Sequence, residues 1–166
     1  MRWVGAGFLF CSVFGCGVLL AGQEKERTRQ CEAFLNFFEY IKNQIHYFLA
    51  PTKQIYRDYR DEVLSKTGFL DRLSQEGDGA YQNRWEEAFS ACRDRILLSR
   101  EQAQIVLAFG SCIGKSNEEM QMNSFEYYIK AMTKETEKQR SVCAKNVKLY
   151  QTLGLTVGAM AALLFL

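Results

Sequence analysis

The chain begins and ends on stretches without charge. From Trp3 to Gly22 (WVGAGFLFCSVFGCGVLLAG) and from Leu149 to Leu166 (LYQTLGLTVGAMAALLFL) no Asp, Glu, Lys or Arg occurs. Each run is roughly 18 to 20 residues, the length at which a helix rising ~1.5 Å per residue crosses a hydrocarbon core of ~30 Å. The pattern predicts an N-terminal transmembrane helix in 1–22, a polar middle in 23–148 and a C-terminal transmembrane helix in 149–166.

Within the middle the apolar positions recur every three or four residues, the period of one face of a helix. Glu24 to Phe48 carries Cys31, Phe34, Leu35, Phe38, Ile41, Ile45 and Phe48 at that spacing. The helix is expected to stop before Pro51, because the residue ahead of a proline is driven out of the α region. Thr52 to Ser65 places Ile55, Tyr59 and Val63 a turn apart, predicting one helix that ends near Gly68. A short piece from Phe69 to Gln75 is closed by the turn EGDGA. Tyr81 to Leu98 follows, with Trp85, Ala88, Phe89 and Cys92 on one stripe.

Ser99 with Gln102 forms a capping-box pattern that opens a helix over Arg100 to Phe109, with Ile105, Val106 and Phe109 inward. Ser116 with Glu119 repeats the pattern. From there no Pro or Gly occurs before Gly154, which predicts a final helix running straight into the second apolar run. Met120, Tyr127, Tyr128 and Met132, with Val142 at the margin, are expected to touch the bundle. No stretch alternates apolar and polar. The expected fold is all-α: a helical bundle of about six helices flanked by the two transmembrane helices.

Charge sets an orientation. Lys25, Arg27 and Arg29 follow the first run and Arg140, Lys145 and Lys148 precede the second, whereas only Arg2 lies outside the pair. By the positive-inside rule the middle faces the cytoplasm. A cleaved signal peptide would explain Arg2 and the first run, but Leu19 and Leu20 stand where small cleavage-site residues are required. The VFGC ending at Cys16 resembles a lipoprotein box, yet the apolar run continues beyond it. The first span is therefore expected to be retained. The 21 Lys and Arg nearly balance 19 Asp and Glu, so no basic nucleic-acid face is indicated.

Candidate chemistry is sparse. The 6 cysteines, Cys11, Cys16, Cys31, Cys92, Cys112 and Cys143, contain no C-x-x-C pair, and in a cytoplasmic domain they are expected to be reduced packing residues. His46 is the single histidine, so neither a metal site nor a nucleophile with a histidine base is expected. Glu86 with Glu87, and Glu118 with Glu119, are sequence neighbours pointing about 100° apart on a helix and do not form a carboxylate dyad.

Gly110 to Ser116 (GSCIGKS) is G-x-x-x-G-K-S, one residue short of a phosphate loop. A phosphate loop follows a buried strand, whereas the preceding EQAQIVLAF has helical spacing. The reading that explains the residues is a turn: Gly110 and Gly114 supply tight or left-handed backbone and Ser116 caps the next helix. No catalytic residue, cofactor or metal is expected, and the chain is not expected to be an enzyme. Gly154 and Gly158 form G-x-x-x-G in the second apolar run, where they would permit close packing of another helix.

Four segments carry a family resemblance: FLNFFEYIKNQIHYFLAP (Phe34 to Pro51), GFLDRLSQEGDGAYQNRWEEAF (Gly68 to Phe89), FGSCIGKSNEEMQ (Phe109 to Gln121) and KLYQTLGLTVGAMAALLFL (Lys148 to Leu166). In these, and in their order along nearly the whole chain, it resembles the stage III sporulation protein AB family, small relatives of the type II secretion F platform proteins. The third segment matches a family pattern F-G-x-x-L-G-x-S-D-x-x-x-Q, with Ile113 for the usual Leu and Asn117 for the common Asp. Gln44 stands where the family commonly has Glu. The resemblance marks Gly110, Gly114, Ser116 and Gln121 as a structural turn motif. It implies a membrane platform in the channel between mother cell and forespore, in the mother-cell membrane around the forespore, with the helical domain cytoplasmic. It further implies engagement of a stage III sporulation protein AA-like ATPase and other channel membrane subunits; self-association is a separate expectation, from the spacing of Gly154 and Gly158. The competing implication is a platform subunit of a type II secretion or type IV pilus-like system outside sporulation.

Overall fold

The structure is a computed structural model that describes the backbone of residues 2–48, 50–75, 81–114 and 117–164; the side-chain surroundings of residues 2–18, 81–82, 118, 151, 154–155, 158–159 and 161–164 lie outside the description. Among the described residues the chain forms α1 (Arg2–Phe48), α2 (Thr52–Asp58), α3 (Glu62–Thr67), α4 (Phe69–Ser74), α5 (Tyr81–Ala91), α6 (Arg100–Ser111) and α7 (Glu118–Leu164), and no strand. The all-helical expectation holds. The chain divides into two compact units: one of Arg29–Glu137, and one of Met1–Thr28 with Lys138–Leu166. Both long helices contribute to both.

In the unit of residues 29–137 the core is aromatic. Phe34, Phe37, Phe38, Tyr56, Phe69, Trp85, Phe109 and Phe125 are all buried. Phe38 and Phe109 stack with ring centroids 3.9 Å apart and 2° between planes, Phe37 stacks on Trp85 at 5.7 Å, and Phe69 meets Trp85 edge-on at 80°. Each such ring removed from water contributes about 1.5–3 kcal/mol, and offset or edge-on geometry adds to it. The stripe Trp85, Ala88, Phe89, Cys92 is buried as its spacing predicts.

Two predicted helices are shorter than the periodicity implied. The segment from Thr52 to Ser65 is broken into α2 and α3, because Tyr59 is extended (ψ 133°) and the Asp61 carboxylate accepts from Leu64 N at 2.8 Å, starting a new helix. Short acidic side chains compete with helix continuation in this way. The helix from Tyr81 stops at Ala91 and the chain runs through a turn at 92–95. Beyond it Leu97 N donates to Gln30 Oε1 at 2.7 Å and Gln30 Nε2 donates to Arg95 O at 3.1 Å. The buried amide of Gln30 thus supplies partners outside a helix, leaving Ile96 and Leu98 buried on irregular backbone.

The capping box is present: Gln102 N donates to Ser99 Oγ at 3.2 Å and Ser99 N to Gln102 Oε1 at 2.9 Å. On α7 the inward residues are Gln121, Phe125, Met132 and Thr136, with Tyr128 half-buried. Met120 and Tyr127, expected against the bundle, are 60% and 67% exposed instead. Their spacing of seven is itself helical, but it tracks the face opposite Phe125. Phe48 is likewise exposed, at the end of α1.

In the other unit Gln139 Nε2 donates to Glu24 Oε2 at 2.8 Å, and Glu24 also lies 3.7 Å from Arg27. The first apolar run falls within α1, and residues 149–164 of the second within α7. Among the described residues no helix is long and apolar enough to cross a membrane. The side chains of 2–18 and most from 151 onward are outside that set.

Candidate functional site

The candidate motif spans the end of α6 and the start of α7. Helix α6 closes tightly: Cys112 N donates to Phe109 O at 3.0 Å and Ile113 N to Gly110 O at 3.2 Å. Ser111 Oγ donates to Ala108 O at 2.8 Å, and Cys112 Sγ to the same oxygen at 3.3 Å. Such bonds take up the orphan carbonyls of a helix end. Ile113 is buried and turns the chain back onto the core.

The two glycines of the turn do different things. Gly114 has φ +77°, the left-handed one of the two conformations expected of the pair, and faces open space. Gly110 does not serve the turn: it is the penultimate residue of α6, buried, with no left-handed φ. Its missing side chain makes room for Trp85, whose indole crosses α6 at this point and donates from Nε1 to Val106 O at 3.0 Å. Close approach, not backbone conformation, is what requires glycine here.

Ser116 lies outside the described residues. The cap seen on α7 is made by Asn117, whose Oδ1 accepts from Met120 N at 3.0 Å, while Asn117 O accepts from Gln121 N at 3.0 Å. Gln121 is buried on α7. Gly154 and Gly158 fall within the α7 helical span, but their surroundings lie outside the described residues. The structure therefore brings Gly110, Gly114 and Gln121 to one corner of the bundle, and it adds Trp85 and Asn117. Nothing in one sequence pairs Trp85 with Gly110, because the contact crosses from α5 to α6.

Electrostatics near this corner are those of a surface. Lys42 Nζ donates to Glu126 Oε1 at 2.8 Å, and that hydrogen bond and charge hold the Glu126 carboxyl below its ordinary range. Burial, with Cys112 and Tyr127 nearby, pushes the Tyr128 phenol up. Among the described residues no group of three His, Cys, Asp or Glu could hold a metal ion. Cys31, Cys92 and Cys143 are buried free thiols, Cys112 is half-buried, and His46 is exposed against Tyr47. Cys11 and Cys16 fall outside the described side chains.

These features define a class: an all-helical bundle whose motif residues serve packing and capping. The family model for stage III sporulation protein AB matches residues 2–166. Stage III sporulation protein AB of Bacillus subtilis (strain 168) is 22% identical over 171 residues, covering 100% of this chain and 99% of that protein. A solved structure of stage III sporulation protein AB is similar with a TM-score of 0.60 at 18% identity, over 72% of this chain and 97% of that one, a likeness that bears on the fold. The chain belongs to the stage III sporulation protein AB family, which gives it a role in sporulation.

Proposed function

We propose that this protein is a membrane platform of the channel joining mother cell and forespore, anchored by both apolar runs, and that it engages a cytoplasmic secretion-type ATPase without being an enzyme itself. The observation that carries the membrane part lies on α7. Leu149, Leu153, Val157 and Met160 are exposed at three- and four-residue spacing, a stripe that water would disfavour. On the same segment Thr152 Oγ1 donates to Lys148 O at 2.9 Å and Thr156 Oγ1 to Thr152 O at 3.0 Å. Hydroxyls satisfied within their own helix are what a hydrocarbon environment demands. Leu19 and Leu20 are exposed on α1 at the end of the first run.

The platform role is supported by the resemblance to type II secretion F proteins. Family membership favours a sporulation channel over a pilus or secretion platform. The test is to purify the full chain in detergent, mix it with the stage III sporulation protein AA-like ATPase, and measure binding and ATP turnover. Binding with altered turnover is expected. No binding and no change in turnover, in detergent and in reconstituted membranes alike, would remove the reading.

A further inference from the structure

In the unit of residues 1–28 and 138–166 the two helices meet their apolar runs with unlike charge. On α1 the first run is followed by Glu24, Lys25, Glu26 and Arg27, two acids against two cations. Glu24 lies 3.7 Å from Arg27 and accepts from Gln139, and Glu26 has an interaction partner as well. On α7 the second run is preceded by Lys138, Arg140, Lys145 and Lys148, and no Asp or Glu occurs anywhere after Glu137. Lys138 and Arg140 already have partners. Lys145 and Lys148 are exposed and make no ion pair among the described residues. Spaced three apart, they share one side of α7, with the exposed Val142 and Leu149 a turn to either side of Lys145.

We infer that Lys145 and Lys148 form a binding site for the headgroup of an anionic phospholipid, its phosphate against the two ammonium groups and an acyl chain along the exposed Leu149 and Leu153. The inference rests on the reading that the second apolar run crosses the membrane, and it adds which helix holds the lipid: α7 and not α1. Height along the helix selects these two cations. At ~1.5 Å per residue Lys148 stands about 1.5 Å and Lys145 about 6 Å before Leu149, whereas Arg140 and Lys138 stand about 14 and 17 Å before it. The headgroup layer on each side of a ~30 Å hydrocarbon core is about 5–8 Å thick. With Leu149 at the edge of the core, Lys145 and Lys148 fall inside that layer and the other two beyond it. Lysine suits the position, since its stem lies along apolar surface while its ammonium stays with the phosphates. An acidic protein segment is the poorer occupant, because it would have to enter the headgroup layer, where the cytoplasmic leaflet already supplies anionic lipid.

The test is native mass spectrometry of the full chain in detergent, with phosphatidylglycerol or phosphatidylcholine added at equal concentration. Wild type is expected to retain phosphatidylglycerol in preference. Lys148→Gln should weaken that retention roughly fivefold, and Lys145→Gln with Lys148→Gln about tenfold or more, from the attraction of each surface cation to anionic lipid. Lys145→Arg with Lys148→Arg is expected to keep the preference, and Lys25→Gln on α1 to leave it unchanged. The substituted α7 positions are exposed, and melting temperatures equal to wild type would show that the variants fold. Equal retention of the two lipids by wild type, a preference that survives the double Gln variant, or an equal loss in Lys25→Gln would each overturn the site. Inorganic phosphate added in place of lipid is expected not to bind; binding that the double Gln variant abolishes would assign the cations to a soluble anion and overturn the lipid site. Carbonate washing of membranes from cells that make the full chain tests the underlying reading separately. A chain released by the wash removes the span and this site together, whereas a retained chain without lipid preference removes the site alone.

Discussion

The Cα of Gly110 lies so close to the indole of Trp85 that a Cβ built there would stand 2.2 Å from Cδ1 and 2.3 Å from Cγ. The ring cannot retreat. Phe69 is at 5.2 Å and Phe37 at 5.7 Å on ring centroids, and Nε1 is held by Val106 O. Gly110→Ala is therefore expected to destabilise the bundle at or above the upper end of the ~1–3 kcal/mol typical of overpacking. The check is the melting temperature of the full chain in detergent. Combining Gly110→Ala with Trp85→Leu should cost less than the sum of the two single changes, since the smaller side chain leaves room for the methyl. Additive costs would show that the two residues do not oppose each other.

Gly114 provides the contrast within the same motif. Its φ of +77° is unfavourable for a side chain, yet nothing lies within 4 Å of where one would be. Gly114→Ala is expected to cost about 1 kcal/mol, and Gly114→Asn less, because asparagine tolerates the left-handed region. A larger loss at Gly114 than at Gly110 in the same thermal measurement would invert this assignment.

These two glycines show how far the sequence could be read. The turn after α6 is legible from the spacing of Gly110 and Gly114, but the spacing leaves open which glycine is left-handed, and the structure gives that conformation to Gly114. The reason for glycine at 110 is not local, because it is a ring on α5 that no local pattern announces. The same holds for helix ends. The Ser99–Gln102 box is local and present, whereas the end of α5 is decided by Gln30, more than sixty residues earlier. Asp61 and Asn117 are themselves cap formers, and a reading that weighed each Asp and Asn for capping would have found them. Met120 and Tyr127 are apolar at helical spacing yet face outward, because Phe125 and Gln121 hold the inward face.

Gln30 offers the third prediction. Its amide both accepts from Leu97 N at 2.7 Å and donates to Arg95 O at 3.1 Å, from a buried position on α1. Gln30→Ala leaves both backbone groups without this partner, which costs about 1–3 kcal/mol for a buried group. Hydrogen exchange should localise the damage: the Leu97 amide is expected to exchange faster in the variant, ahead of amides in α6. Unchanged protection at Leu97 would show that the segment is held without Gln30, by its buried neighbours Ile96 and Leu98.

Alkaline pH should loosen the bundle through Tyr59. Burial foremost, then the charge of Asp61 and the neighbouring Tyr40, raise its phenol from the ordinary 10.0 to about 12, and its ring stacks on Phe37 at 4.5 Å. A raised folded-state value means that the neutral form is favoured by folding. The contribution is fully present below pH 10 and is lost as the pH rises toward about 12. Tyr59→Phe cannot ionise, so the difference in melting temperature between variant and wild type should shift in favour of the variant across that interval and be constant below it. A difference that does not move with pH would dismiss the linkage.

The platform reading requires that displacement at the bundle reach the second apolar run. α7 is continuous from Glu118 to Leu164, with no Pro in it and no Gly before Gly154. A Gly-Pro insertion after the exposed Ala144 would remove a helical hydrogen bond and introduce a kink, at a cost of about 3 kcal/mol or more from the proline alone. It would also rotate everything downstream by about 200°, since each residue turns a helix by about 100°. An Ala-Ala insertion at the same point makes the same rotation without the break, and so isolates stiffness. We expect the Gly-Pro variant to remain membrane-associated and to bind the ATPase while sporulation fails, with the Ala-Ala variant retaining most of its function. Equal failure of the two would assign the requirement to rotational register, and undiminished sporulation of the Gly-Pro variant would remove rigid coupling through α7 altogether.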